Sequence, residues 1–141
     1  MNTIDILKKL IYEEYFISFY YYDGISHLYM MKYENKYFLY YWILEELNHD
    51  TKKGTSIFAI VELNFQDLED LLNKKYPIIH YYKTKKNYVE KSYFEIGGKE
   101  LLSTEILEYT LQEEELPVED FYLCELKELN SYVMGKKMKK F

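Results

Sequence analysis

The chain has 141 residues, 18 lysines, 24 acidic residues and a net charge of −6. That length suits one domain with one substantial core, and the negative balance disfavours simple binding along a nucleic-acid backbone. All 18 basic residues are lysine, so the planar guanidinium preferred for bidentate phosphate and base recognition is missing.

Aromatic residues dominate the composition, with 18 Tyr, 8 Phe and 1 Trp. Tyrosine favours strands and half-buried faces, because its ring packs while its hydroxyl reaches water. The richness in Lys, Asn, Ile, Tyr and Phe reflects AT-rich codons and suggests a low-GC bacterium or its phage. Cys124 is the only cysteine, which excludes an internal disulfide and suits a reducing compartment. Asp5, Lys8 and Lys9 interrupt the first apolar segment, and "YFLYYWIL" (37–44) is too short for a membrane span. The expected location is the bacterial cytoplasm.

In chain order, Ile4, Leu7, Leu10 and Ile11 recur at helical spacing, which predicts a helix over 3–12 capped by Thr3. "YFISFYYY" then turns strand-like. Asp23-Gly24 marks a hairpin, since the central residues of a type I′ turn need positive φ. "SHLYMMKY" is its returning strand, "ENK" (34–36) a second turn and "YFLYYWIL" a third strand. Residues 48–55 read as a polar loop, and "SIFAIVEL" as a central strand buried on both faces. Asn64 is placed to cap a helix presenting Phe65, Leu68, Leu71 and Leu72 on one side, with Lys74 and Lys75 in its last turn and Pro77 as its stop.

"NYVEKSYFEI" alternates as a strand and Gly97-Gly98 forms a turn. Residues 102–115 fit a helix through Leu102, Ile106 and Tyr109, or a strand through Leu107, Tyr109 and Leu111. "FYLCEL" is a further short element. The expected architecture is α+β, an antiparallel meander with one or two helices packed on one face. Residues 1–134 form one globular domain, followed by a flexible lysine tail at 135–141.

"YYDG" (21–24), "YYW" (40–42), "FAIVEL" followed by "DLEDLL", and "ELP" (115–117) together resemble a family of small bacterial domains of unknown function. The likeness spans residues 15–123, with Ile25 where that family carries proline. It implies an α+β fold and no catalytic residues.

The candidate chemistry is sparse. Asp23, His27 and His49 lack the paired His or Cys spacing of a zinc site. No serine lies in a nucleophile motif, and Cys124 sits on an apolar face. There is no phosphate-binding glycine loop. Glu13/Glu14 and Glu45/Glu46 are sequence neighbours that strands would send to opposite faces. The expectation is therefore no enzyme, no metal and no cofactor.

Two surface features point to a protein partner. Residues 100–128 hold ten acidic groups and one lysine. Glu105, Glu108, Glu113, Glu114, Glu115, Glu119 and Asp120 form a candidate patch for a basic, nucleic-acid-handling effector. Tyr20, Tyr22, Tyr29, Tyr40 and Trp42 form a candidate aromatic face, since Tyr and Trp dominate interface hot spots. The combination suggests an inhibitor in a conflict system: an anti-defence protein such as an anti-CRISPR, an antitoxin or an immunity protein. The alternative is a small RNA-, DNA- or nucleotide-binding domain using Lys83, Lys85 and Lys86 with tyrosine stacking.

Overall fold

The computed structural model describes residues 1–22, 25–98 and 101–117, with backbone alone at 20–22 and 25. Helix α1 (Thr3–Lys9) precedes four strands: β1 (Ile17–Tyr22), β2 (Ile25–Tyr33), β3 (Lys36–Asn48) and β4 (Lys53–Leu63). Helices α2 (Phe65–Leu72) and α3 (Ile78–Thr84) follow, then β5 (Asn87–Glu95), β6 (Leu101–Glu108) and a 3-10 turn at Glu113–Glu115. The six strands form one antiparallel sheet in sequence order. This is the α+β meander that the hydrophobic patterning predicts.

Strand alternation sorts the apolar side chains onto two faces. Phe19, Leu28, Met30, Leu39, Ala59 and Val61 pack under Leu68 and Leu71 of α2 and Ile78, Tyr81 and Tyr82 of α3. Tyr29, Met31, Phe38, Tyr40, Phe58 and Ile60 pack on the other face, with Ile6, Leu7 and Leu10 of α1 and with Tyr15. The helices are thus divided between the faces rather than gathered on one. Phe58, Ala59, Ile60 and Val61 are consequently all buried, as the continuous apolar run in β4 demands.

The tyrosines fill the core. On the α1 face, the Tyr29 ring lies 4.8 Å from Tyr40 in a stacked arrangement, 5.6 Å from Tyr15 and 5.4 Å from the edge-on Phe58. Tyr29 and Tyr40 are direct cross-strand partners, the arrangement that lets aromatic pairs stabilise a sheet. On the opposite face, the Tyr82 hydroxyl donates to the carbonyls of Leu39 (2.9 Å) and Ala59 (3.1 Å), pinning α3 across the two central strands.

Several ends differ from the sequence reading. Asn2, not Thr3, caps α1, its Oδ1 accepting from the Asp5 amide at 2.9 Å. α2 has the expected Asn64 cap, completed by Asp67 as a reciprocal capping box. It ends at Leu72, however, and Lys74 lies beyond it at φ 58°. Pro77 is the N-cap of α3 instead of the stop of α2, and its ring fixes φ at the helix entrance. The expected polar loop is the tip of a long β3–β4 hairpin, in which Asn48 pairs with Lys53 and the Asn48 Oδ1 accepts from the amides of Asp50 and Thr51. Residues 101–108 are strand, the ladder to β5 deciding what local pattern left open. The β1–β2 hairpin forms as expected, with Tyr22 opposite Ile25. Asp23, Gly24, the "FYLCEL" element and the lysine tail lie outside the described residues.

No helix among the described residues is long and apolar enough to cross a membrane.

Replacing Asn64 with Ala should cost about 1 kcal/mol through loss of the cap, read as a lower urea midpoint with an unchanged slope. Burial, reinforced by neighbouring tyrosines, pushes the Tyr29 and Tyr40 hydroxyls well above the ordinary tyrosine range. Unfolded tyrosines ionise near pH 10, so above about pH 10 the unfolded chain releases protons that the folded chain keeps. Stability should therefore hold below that pH and fall as pH rises beyond it. Tyr29→Phe should flatten the fall, measured as urea midpoints between about pH 8 and 11.

Candidate partner-binding surface

Among the described residues β6 lies at one edge of the sheet, and it leads into the 3-10 turn. Strand geometry separates the carboxylates here. Glu105 shares a face with its cross-strand partner Lys91, whereas Glu108 stands opposite Tyr88 on the other face. Glu108 is held by Lys86 at 2.8 Å, an exposed pair. Its hydrogen bond and charge raise the Lys86 ammonium above its ordinary range.

Glu115 is also committed internally. Its carboxylate accepts from the Tyr109 hydroxyl at 2.8 and 3.0 Å and from the Gln112 amide at 2.7 Å. That hydrogen bond, followed by desolvation and the charges of Glu115 and Glu114, raises the Tyr109 hydroxyl. Glu105, Glu113 and Glu114 are exposed and make no ion pair among the described residues. The acidic run therefore divides into Glu108 and Glu115, which serve the fold, and three carboxylates that face solvent. Glu119 and Asp120 lie outside the described residues.

The aromatic face expected from sequence does not stand open. Tyr29 is 3% exposed and Tyr40 fully buried, because α1 and Tyr15 cover them. Trp42 is half-buried, its ring 4.6 Å from that of His27. The side chains of Tyr20 and Tyr22 lie outside the described residues. Exposed large apolar groups occur elsewhere: Leu102 on β6, Leu47 on the β3–β4 hairpin, Phe65 at the start of α2 and Tyr12 after α1.

Lys83, Lys85 and Lys86 do converge. They line a groove of about 340 Å³ between the α3–β5 junction and the segment 108–116, with Tyr82, Asn87, Glu108, Tyr109, Thr110, Leu111 and Leu116. Asn87 shapes this junction by donating its Nδ2 to the carbonyls of Tyr82 (2.9 Å) and Lys85 (2.8 Å). Two of the three cations are engaged, Lys85 with Asp67 at 2.7 Å and Lys86 with Glu108. Lys83 makes no ion pair among the described residues.

The histidines occupy separate places. His27 packs on Trp42, and His49 lies at the tip of the β3–β4 hairpin beside Asp50. The chain from Trp42 to Asn48 spans ~20 Å at about 3.3 Å per strand residue. Among the described residues no group of three or more His, Cys, Asp or Glu side chains is placed to hold a metal.

The two lysine pairs were hidden from sequence reading, because Asp67–Lys85 joins α2 to the end of α3 and Lys86–Glu108 joins the α3–β5 junction to the end of β6. Each needs the register. The 3-10 cap had a local signal: Gln112 and Glu115 stand three apart, the capping-box spacing.

No family model, no curated protein and no solved structure matches this chain.

Glu115→Gln should remove the carboxylate that holds the Tyr109 proton. Tyr109 should then ionise at lower pH, followed by NMR of ring-labelled tyrosine; an unmoved titration would reject the contact.

Proposed function

We propose that this domain is a non-enzymatic protein-binding module, an inhibitor of the anti-defence, antitoxin or immunity class, which meets a basic partner at the β6 edge. One observation carries the reading: Glu105, Glu113 and Glu114 project from one margin of the sheet without internal ion pairs among the described residues. Charge of one sign at an interface margin steers encounter and rejects like-charged partners. Exposed Leu102 on the same strand adds an apolar contact.

The test is combined reversal of Glu105, Glu113 and Glu114 to Lys, leaving Glu115 in place because it holds the 3-10 turn. Against the partner captured from the bacterial host, calorimetry should show at least about tenfold weaker binding, roughly 1.4 kcal/mol, with the circular dichroism spectrum kept. Unchanged affinity would reject the acidic surface.

Binding of RNA, DNA or a nucleotide is the second reading, favoured by the convergence of Lys83, Lys85 and Lys86 on one groove beside Tyr109. It ranks lower because Asp67 and Glu108 already engage two of these lysines. This reading predicts gel-shift binding that falls steeply with salt; no shift at low salt would dismiss it.

A further inference from the structure

The register of β6 shows which backbone groups it turns outward. The Tyr109 amide donates to the Asn87 carbonyl at 3.2 Å, so Asn87 turns its backbone groups toward β6. Antiparallel ladders alternate bonded and non-bonded pairs. Val89–Leu107 and Lys91–Glu105 are therefore bonded pairs, while Tyr88–Glu108, Glu90–Ile106 and Ser92–Thr104 are not. It follows that Thr104, Ile106 and Glu108 aim their N–H and C=O groups away from β5. Among the described residues β6 pairs with β5 alone. The Thr104 hydroxyl is also buried without a hydrogen-bond partner among the described residues.

We propose that β6 accepts an extended, lysine- or arginine-bearing segment of the partner as a seventh strand. The inference rests on the protein-binding reading and names its mode. Outward N–H and C=O groups at Thr104, Ile106 and Glu108 supply the main-chain bonds of strand addition. Glu105, with Glu113 and Glu114 beyond the strand end, selects for cationic side chains. Leu102, 53% exposed, offers an apolar contact near the start of the strand.

Charge also decides against a second copy of this chain as the occupant. Residues 101–117 contain no lysine, so β6 paired with β6 would bring Glu105 and Glu108 of both strands together with no cation on either strand. Like charges brought together across strands are destabilising.

The experiment uses the full chain and two synthetic eight-residue probes, one alternating lysine with threonine and one alternating glutamate with threonine. Amide hydrogen exchange is followed by NMR. The lysine probe should slow exchange at Thr104, Ile106 and Glu108 at least about fivefold, and the glutamate probe should not. Thr104→Pro removes an outward donor that β5 does not use, as edge strands tolerate. It should weaken lysine-probe binding about tenfold, whereas Thr104→Val, which keeps the amide, should bind near normally.

Binding of the lysine probe without protection of these amides would overturn strand addition and leave the acidic surface standing. No binding at millimolar probe, or equal protection by both probes, would also overturn it. Protection that grows with protein concentration in the absence of probe would reassign the edge to a second copy. Failure of the Glu-to-Lys reversal to weaken the natural partner rejects the acidic surface separately, whatever the exchange data show. If Thr104→Pro does not fold, wild-type exchange alone decides.

Discussion

The long pairing of β3 with β4 is the constraint from which the rest of the structure follows. It runs from Tyr37 opposite Leu63 to Asn48 opposite Lys53, and its inner half carries apolar side chains on both faces. Such a ribbon cannot leave either face to water, since burying apolar surface is the main favourable term in folding. Two layers of helix result: α1 on one side and α2 with α3 on the other. The Tyr82 hydroxyl, shared between carbonyls of β3 and β4, ties one layer to that central ribbon.

Double coverage explains where the tyrosines go. A sheet with one open face would expose half of its aromatic side chains. Here Tyr15, Tyr29 and Tyr40 form an internal cluster on one side, and Tyr37, Tyr81 and Tyr82 pack on the other. The exposed carboxylates Glu105, Glu113 and Glu114 lie at the β6 margin. At that margin the charges fall into two groups: pairs that close the fold, Lys85–Asp67 and Lys86–Glu108, and carboxylates left for solvent or a partner.

Sequence reading reached the strands well and the helices less evenly. Asn64 followed by Asp67 at capping-box spacing made α2 legible, and β4 was legible from its unbroken apolar run. α3 was not, because "IIHYYKT" is short, β-branched and aromatic, and its helical form depends on Tyr81 and Tyr82 docking on the sheet. β5 misleads in another way. The alternation of "NYVEKSYFE" does not announce that Glu90 is fully buried between the registers of Phe58 and Ile106. The candidate surface was legible in composition alone. Glu113 and Glu115 are indistinguishable by charge, but the Tyr109 contact commits only one of them.

By itself the sequence determined the α+β class, the meander order, the doubly buried central strand and the acidic character of the C-terminal third. These follow from side-chain period, turn residues and net charge, all local quantities. Tertiary structure alone decided that helices cover both faces, that Tyr29 and Tyr40 are core, and which carboxylates remain available. Each of those depends on register and on contacts between residues far apart in the chain. In β6 the decision is finest: the same eight residues could turn either set of backbone groups outward, and only the hydrogen-bond phase against β5 selects Thr104, Ile106 and Glu108.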